Sequence, residues 1–411
     1  MIEIRDKKDC CGCCACAGVC PKGCIEMKED EEGFVYPQVD TVSCVNCHLC
    51  EKVCPILNVR VDEQKPGFQQ RGYIVQHKDP EILRESTAGG AFTAIAKFVL
   101  DRDGVVFGVE LQDDLYATPS AAHHIWVDNE ADLKLFRNSK YVHSFVGGGT
   151  AQQVKSFLEQ GKYVCFSGTP CQVEGLKQYL DVKKVDQTKL ILIDVVCRAV
   201  PSPMVFRKYL EHQEKKNSEH ITSVRFRDKH YGYKYSTMNV LSDRNHGNYH
   251  RGVESDPWLR AFFSNICDRP SCHDCQFRKL HRVSDFTIWD CFQVGRFSRE
   301  LDNDKGATRM LVHTEKGQQI LSEIKEELRI VPVEVDLIIE GSKELRQSVA
   351  PNNRRTEFFS DAITMDGYDL FEKYFPETAK VKLERMVRMT AFKLGIYSVA
   401  KKVFVKLTGK Y

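Results

Sequence analysis

Chemistry in this 411-residue chain begins with sulfur. The stretch DCCGCCACAGVCPKGC (residues 9–24) spends seven of its sixteen positions on cysteine. Disulfide scaffolds belong to short secreted chains. Here the other cysteines are scattered through a long chain that opens on the charged run MIEIRDKKD, with no apolar signal-peptide core. The expectation is a reducing, cytoplasmic setting in which thiols persist to bind metal. Spacing then narrows the metal. Cys10, Cys13, Cys16 and Cys20, followed by Pro21, form C-x2-C-x2-C-x3-C-P, and Cys44, Cys47, Cys50 and Cys54, followed by Pro55, repeat it. A [4Fe–4S] cube needs four soft thiolates converging on its irons, and two-residue gaps let one tight loop present three of them. Structural zinc also takes C-x2-C pairs, but it has no need of a duplicated four-Cys run ending in Cys-Pro. Cys11 and Cys14 fall out of register, and Cys24 lies past the proline.

The duplicated run resembles the bacterial-type two-cluster ferredoxin domain, over residues 1–57. In such domains the cysteine beyond the longer gap crosses to the other cluster. Cys10, Cys13, Cys16 and Cys54 are then expected at one cluster, and Cys44, Cys47, Cys50 and Cys20 at the second. Strand candidates at 2–4 and 33–37 suit that small α+β unit.

The elements beyond must place these centres against whatever they serve. Length suggests two to three domains. With 59 basic against 57 acidic residues the net charge is +2, which argues against general nucleic-acid binding. No run of about 18 uncharged apolar residues spans a membrane. Residues 58–71 are polar, contain Pro-Gly and read as a linker. From residue 72 strands and helices alternate. YIVQ reads as a strand, 91–100 as a helix and GVVFGV as a buried strand; helix 152–160 leads into YVCFSG, and ILIDVV into helix 202–210. That alternation implies a sheet covered by helices. From 380 to 410 the tail carries nine Lys/Arg against Glu384, with Met386, Met389, Phe392, Ile396, Val399, Val403 and Leu407 at threes and fours. Such a helix lies on an anionic membrane face or a partner, or docks on its own domain.

Several stretches of the larger domain resemble one family. ESTAGGAF (85–92), SKYV (139–142), FSGTPCQ (166–172) and RPSCHDCQF (269–277), with CRAVPSP (197–203), FRDK (226–229) and DNDKGA (302–307), look like the coenzyme F420 hydrogenase/dehydrogenase beta-subunit family, over about residues 1–350. The resemblance implies FAD and electron transfer between iron–sulfur centres and a flavin. The expected fold class is α+β: a small two-cluster ferredoxin-type domain (1–57), a linker (58–71), a larger mixed α/β flavoprotein domain (72–350) and a helical tail with a basic amphipathic end (351–411).

Under that resemblance Gly89 and Gly90, before a helix, with the hydroxyls of Ser86 and Thr87, would cradle the FAD pyrophosphate, although a Gly-Gly before a helix is more often a cap. Lys140 offers a cation to a phosphate or to the flavin ring, or makes a surface ion pair. Ser167, Thr169 and Gln172, on a strand-to-helix turn, are candidate flavin contacts. GGGT (147–150) reads as a turn. Cys171, Cys197, Cys272 and Cys275 are the remaining motif cysteines; they would hold a third [4Fe–4S] cluster, a zinc ion, or stay free thiols. Cys165, Cys267 and Cys291 read as small buried hydrophobes. The chain has Cys197-Arg198-Ala199 where the family usually has Cys-His-Gly, and Asp290-Cys291-Phe292-Gln293 where it often has Asp-Phe-Trp-Gly. Alternation in VRFRD (224–228) puts Arg225 and Arg227 on one face, toward solvent or an anionic ligand.

The function expected is an iron–sulfur flavoprotein oxidoreductase with a ferredoxin-like or subunit partner and a small redox substrate. It would be cytoplasmic, with peripheral contact at the inner membrane face as one role for the tail. The alternative is an electron-transfer adaptor that serves a partner enzyme and binds no organic substrate. No catalytic residue is assigned.

Overall fold

The computed structural model describes every residue except 65–66, 245–248 and 398–411. Residues 1–57 are built on an antiparallel hairpin, β1 (Ile25–Glu29) with β2 (Val35–Val39). Asp30 closes its turn: Oδ1 accepts from the amides of Glu32 (3.1 Å) and Phe34 (2.9 Å). Gly33 supplies the positive φ of +83° that the turn requires. The strand expected at 2–4 does not form. The buried Ile2 points its amide at Cys50 Sγ (3.3 Å) rather than into a ladder. The other candidate, 33–37, falls on β2.

The rest of the chain forms a mixed α/β unit around an eight-stranded sheet. Its strands are β3 (Arg71–His77), β4 (Val105–Leu111), β5 (Ala122–Val127), β6 (Val164–Gly168) and β7 (Leu190–Val195). A separate three-stranded sheet follows, β8 (Ile221–Asp228), β9 (Thr237–Ser242) and β10 (Tyr249–Arg251), and then the main sheet resumes with β11 (Phe286–Asp290), β12 (Thr308–Val312) and β13 (Leu328–Val333). The order is β13-β3-β12-β11-β7-β6-β4-β5. Pairs β4/β6, β6/β7 and β7/β11 are parallel, and β12 is antiparallel to both β11 and β3. Therefore β3, β4, β6, β7 and β11 all run one way. The central strands are buried on both faces, which is why VCF and LILI read as unbroken apolar runs. Helix Ala91–Leu100 covers one face through Ala94, Ile95 and Val99. On the other face Val154, Val173 and Leu176 join Phe107 and Phe166 in a cluster that also contains Ala15, Val19 and Val53 of the cysteine-rich segment. The two parts of the chain thus share one apolar core.

Strand direction has a functional consequence. The C-terminal ends of the five co-directional strands lie along a single sheet edge, together with the N-terminal end of β12. The segments ESTAGG, DNDKGA, Asp290–Phe292, Cys197–Arg198 and FSGTPCQ all emerge there. Gly89 marks the join: its amide donates to Thr308 Oγ1 (2.8 Å), and a Cβ on it would stand 2.6 Å from Thr308 N.

Residues 58–64 and 67–70 carry no regular structure but are anchored. Arg60 bonds Gln178 (2.7 Å) and Asp181 (2.6 Å), and Asp62 accepts from the amides of Leu280 (2.9 Å) and His281 (2.7 Å). The helix expected at 202–210 runs from Pro203–Asn217, stopped by Ser218 in the left-handed region. Turn 147–149 packs on the cysteine-rich segment, where a Cβ on Gly18 would meet Gly148 O at 3.0 Å. In the tail, helix Ala379–Lys393 docks Met389 and Phe392 on Tyr231 and Tyr235, while Met386 and Ile396 are exposed. Val399, Val403 and Leu407 lie outside the described residues. No described helix is long and apolar enough to cross a membrane.

At Gly33 a Cβ would stand 2.8 Å from Met204 N and from Ser202 Oγ. Gly33→Ala therefore strains the left-handed backbone and wedges the hairpin from helix Pro203–Asn217. We expect a loss of roughly 2–5 kcal/mol in urea unfolding of the full chain, against under about 0.5 kcal/mol for an alanine at Gly149, which has an ordinary φ of −87° and nothing within 4 Å.

Candidate functional site

Two cavities in residues 1–57 are lined by thiols. Cys10, Cys13, Cys16 and Cys54 line the inner one, closed over by Ile2, Ile4, Met27, Pro37 and Ile56. Cys20, Cys44, Cys47 and Cys50 line the outer one with Pro21, Val45 and Leu49. These are the two sets expected from the resemblance to two-cluster ferredoxins. Each triple is presented by a loop and a single helical turn, Ala15–Val19 and Leu49–Lys52, entered through left-handed Cys14 (φ 62°) and His48 (φ 58°). The out-of-register cysteines also reach the cavities: Cys11 and Cys14 line the inner one and Cys24 the outer, with Cys24 Sγ 3.3 Å from Cys20 Sγ.

The donor chemistry fits cubes better than zinc. Zinc holds each sulfur at about 2.3 Å, which draws four of them to within about 4 Å of one another. Among the described residues the only trio of metal-capable atoms within 4.8 Å is Asp228, His230 and His250, and no three thiols lie that close. All-thiol sets with wider separations suit a cluster.

Cys171 stands between sites. Its hydrogen bond with Cys11, which itself bonds Cys13, brings its thiol down to about 7, against the effect of burial. Thr169 Oγ1 lies 3.2 Å from the same sulfur. Cys197, Cys272 and Cys275 share this interior: Cys197 feels the charge of Cys171 and Cys275, and Cys272 that of Cys197 and Cys275. Burial pushes the Cys197 thiol up to about 12. Arg278 fastens the loop by donating to the carbonyls of Cys197, Arg198 and Glu344. Arg198 bonds Glu344 (3.3 Å) and Asn265 (2.9 Å). Cys165, Cys267 and Cys291 are fully buried.

Further along the edge lies a cationic group. Lys140 Nζ donates to the carbonyls of Leu135 (2.8 Å) and Arg137 (2.9 Å), and burial, with Arg225 adding, lowers it to about 7. Lys229 Nζ is held by three carbonyls, Leu83 (2.7 Å), Ala88 (2.8 Å) and Lys305 (2.7 Å), so that it ties ESTAGG to DNDKGA; burial lowers it to about 7 as well. Arg225 bonds Glu85 O (3.3 Å). Thr87 and Ser139 hydroxyls face each other at 3.0 Å, Ser86 caps the helix before them through Ile82 O (2.6 Å), and Gly90 enters the next helix at φ +78°. Two buried amines bonded to carbonyls rather than to carboxylates make this rim fit an anionic, phosphate-bearing group. The other predicted contacts serve the backbone. Gln172 accepts from Thr169 N (2.9 Å) and donates to Ser144 O (3.1 Å), and Ser167 donates to Phe107 O (3.3 Å). The β3 and β6 ends stand four strand spacings apart, about 19 Å.

Arg227 does not face solvent. A register irregularity between Arg225 and Asp228 turns it inward, where it pairs both carboxylate oxygens of Asp290 (3.1 and 3.3 Å) and Tyr141 OH (3.1 Å). Tyr233 OH donates to the same carboxylate (3.0 Å), and its ring stacks on Phe292 at 5.5 Å. Asp290 thus keeps a structural post despite the altered residues after it. Sequence reasoning missed the thiol of Cys11 and the buried cation Arg269. Arg269 sits inside a motif already quoted; Cys11 carries no spacing signal.

Residues 161–336 match the family described as the C-terminal region of the coenzyme F420 hydrogenase/dehydrogenase beta subunit. The chain is 25% identical over 269 residues to the F420-dependent formate dehydrogenase 1 subunit beta of Methanococcus maripaludis, covering 62% of this chain and 59% of that protein. It spans, then, a little over half the length of that relative. A solved structure of the F420-reducing [NiFe] hydrogenase complex from Methanosarcina barkeri, derivatised with xenon, aligns at a TM-score of 0.47 and 18% identity, over 69% of this chain and 91% of that one.

Removing the counter-charge of a buried guanidinium is costly. Asp290→Ala is expected to lower unfolding stability by about 3–5 kcal/mol in urea titrations, and adding Arg227→Met, which removes the stranded charge, to recover part of it.

Proposed function

Residues 161–336 match the C-terminal part of the coenzyme F420 hydrogenase/dehydrogenase beta-subunit family, and from this we propose that the chain is an iron–sulfur, flavin-dependent oxidoreductase subunit. It would pass electrons between ferredoxin-type [4Fe–4S] clusters, FAD and a small organic acceptor or donor of the coenzyme F420 kind, and exchange them with a redox partner protein. The observation that carries the reading is the pair of thiol-lined cavities in residues 1–57, with Cys171 close enough to Cys11 and Cys13 for their charges to interact.

Cys10, Cys13, Cys16 and Cys54 would hold one cube, Cys20, Cys44, Cys47 and Cys50 the second, and Cys171, Cys197, Cys272 and Cys275 a third. Such cubes, when bound, supply one-electron carriage, and a flavin supplies exchange between one- and two-electron chemistry. The chain's own work is placement. Cys47 is exposed beside Val42 and Val45, which leaves the outer site open to a partner protein. Ile2, Ile4, Met27, Pro37 and Ile56 keep water from the inner one. Thr87 and the Gly90 turn would face the FAD phosphates, whose charge Lys140, Arg225 and Lys229 would balance. Ser167, Thr169 and Gln172 would shape the opposite end of the edge by holding the turn that presents Cys171.

Anaerobic purification with iron, sulfide, zinc and flavin quantification tests this. About twelve irons and one flavin per chain are expected, falling to about eight irons in Cys272→Ser with the flavin retained. Clusters without flavin would favour an electron-transfer adaptor instead, and zinc in place of iron would overturn the redox reading.

A further inference from the structure

Arg269 is fully buried, yet its partners include no carboxylate. Its Nε donates to Cys10 O (2.8 Å), and one Nη donates to Val35 O (2.9 Å) and approaches Cys10 Sγ at 3.6 Å. The other Nη has no partner, and a Cβ on Gly12 would lie 3.0 Å from it. The guanidinium stands over the rings of Tyr36 (4.4 Å) and Phe34 (5.3 Å). The neighbouring carboxylate is no help: Asp268 faces Arg198, Arg355 and Arg278. A guanidinium does not give up its proton inside a protein, and a buried charge left unpaired is strongly unfavourable. The compensating negative charge must come from sulfur. Cys10, Cys11, Cys13, Cys14, Cys171 and Cys272 are all near enough to feel this cation, so it stands between the inner cavity and the third thiol set.

We propose that Arg269 is the counter-cation of the thiolate cage of Cys10, Cys13, Cys16 and Cys54, and that its contact with Cys10 Sγ sets the reduction potential of the centre held there. The inference rests on the cluster reading above and goes further, by giving one side chain control of one potential. A fixed positive charge and a hydrogen bond at a ligand sulfur both favour the reduced, more negative state. Arg269 acts through Cys10 and is a positioning residue.

The test is an anaerobic redox titration of the full-length protein, with EPR reading each reduced centre and iron assayed in parallel. In Arg269→Gln one centre should become harder to reduce. At a fixed ambient potential its reduced-to-oxidised ratio should fall about tenfold, equal to about 59 mV for one electron, with iron content unchanged. Arg269→Lys, which keeps the charge, should recover most of that loss. Full iron with unmoved potentials overturns the inference and leaves the cluster reading standing, whereas an iron-free wild type overturns both. Should Arg269→Gln fail to fold, wild-type protein carrying 15N-arginine decides: a guanidinium nitrogen coupling to a reduced centre in pulsed EPR supports the role, and its absence overturns it.

Discussion

A buried guanidinium fastens the two halves of this molecule. Arg269 leaves the backbone three residues before Cys272, its amide bonded to Val200 O. Its side chain ends on the carbonyls of Cys10 and Val35. Three stretches distant in sequence therefore share one cation: the first thiol loop, the β1–β2 hairpin and the segment that presents the third thiol set. Arg207 and Arg355 add ion pairs to Glu29 and Glu32 across the same seam, so the cysteine-rich segment is held against the mixed α/β unit by several polar ties. For the electron transfer proposed above, the distance they fix is what placement means. The apolar contact beneath it, with Val19 and Val53 against Phe166 and Val173, supplies area but not register.

The same physics recurs along the edge. Lys229 gathers carbonyls from Leu83, Ala88 and Lys305, and Arg278 gathers those of Cys197, Arg198 and Glu344. Irregular loops at the end of a parallel sheet have no ladder to satisfy their carbonyls, and a buried loop with orphan acceptors is unstable. A long cationic side chain answers three at once. The result is an edge whose buried amines are held by carbonyls, while Asp228, Asp290 and Asp302 are each committed to a basic partner, Arg225, Arg227 and Lys234. Burial lowers the amines of Lys140 and Lys229 to about 7.

Much of this was written in the sequence, and for identifiable reasons. Ligand spacing is local: three cysteines two residues apart can serve one loop, so the triples Cys10, Cys13, Cys16 and Cys44, Cys47, Cys50 were readable in advance, whereas the exchange of Cys54 and Cys20 came only with the resemblance to two-cluster ferredoxins. Strands such as 164–168 and 190–195 were readable too, because double-sided burial demands an unbroken apolar run. The 2–4 segment misled, since its alternation fits a strand while its amide is spent on Cys50 Sγ. Arg227 misled for a related reason. The local alternation of VRFRD gives no sign of the irregularity that turns it onto Asp290.

By itself, then, the sequence determined what is local: which sulfurs belong to which loop, where apolar runs and helical periods lie, and which motifs deserve attention. Tertiary structure alone decided what lies between segments. It made β3 co-directional with β11, β7, β6 and β4 through two successive antiparallel pairings with β12, and so brought five motifs to one edge. It placed Cys11, an extra thiol by spacing, between Cys13 and Cys171, and it sank Arg269 among sulfurs. Pairing order and buried charge are long-range balances of many weak terms, and no window of consecutive residues contains them.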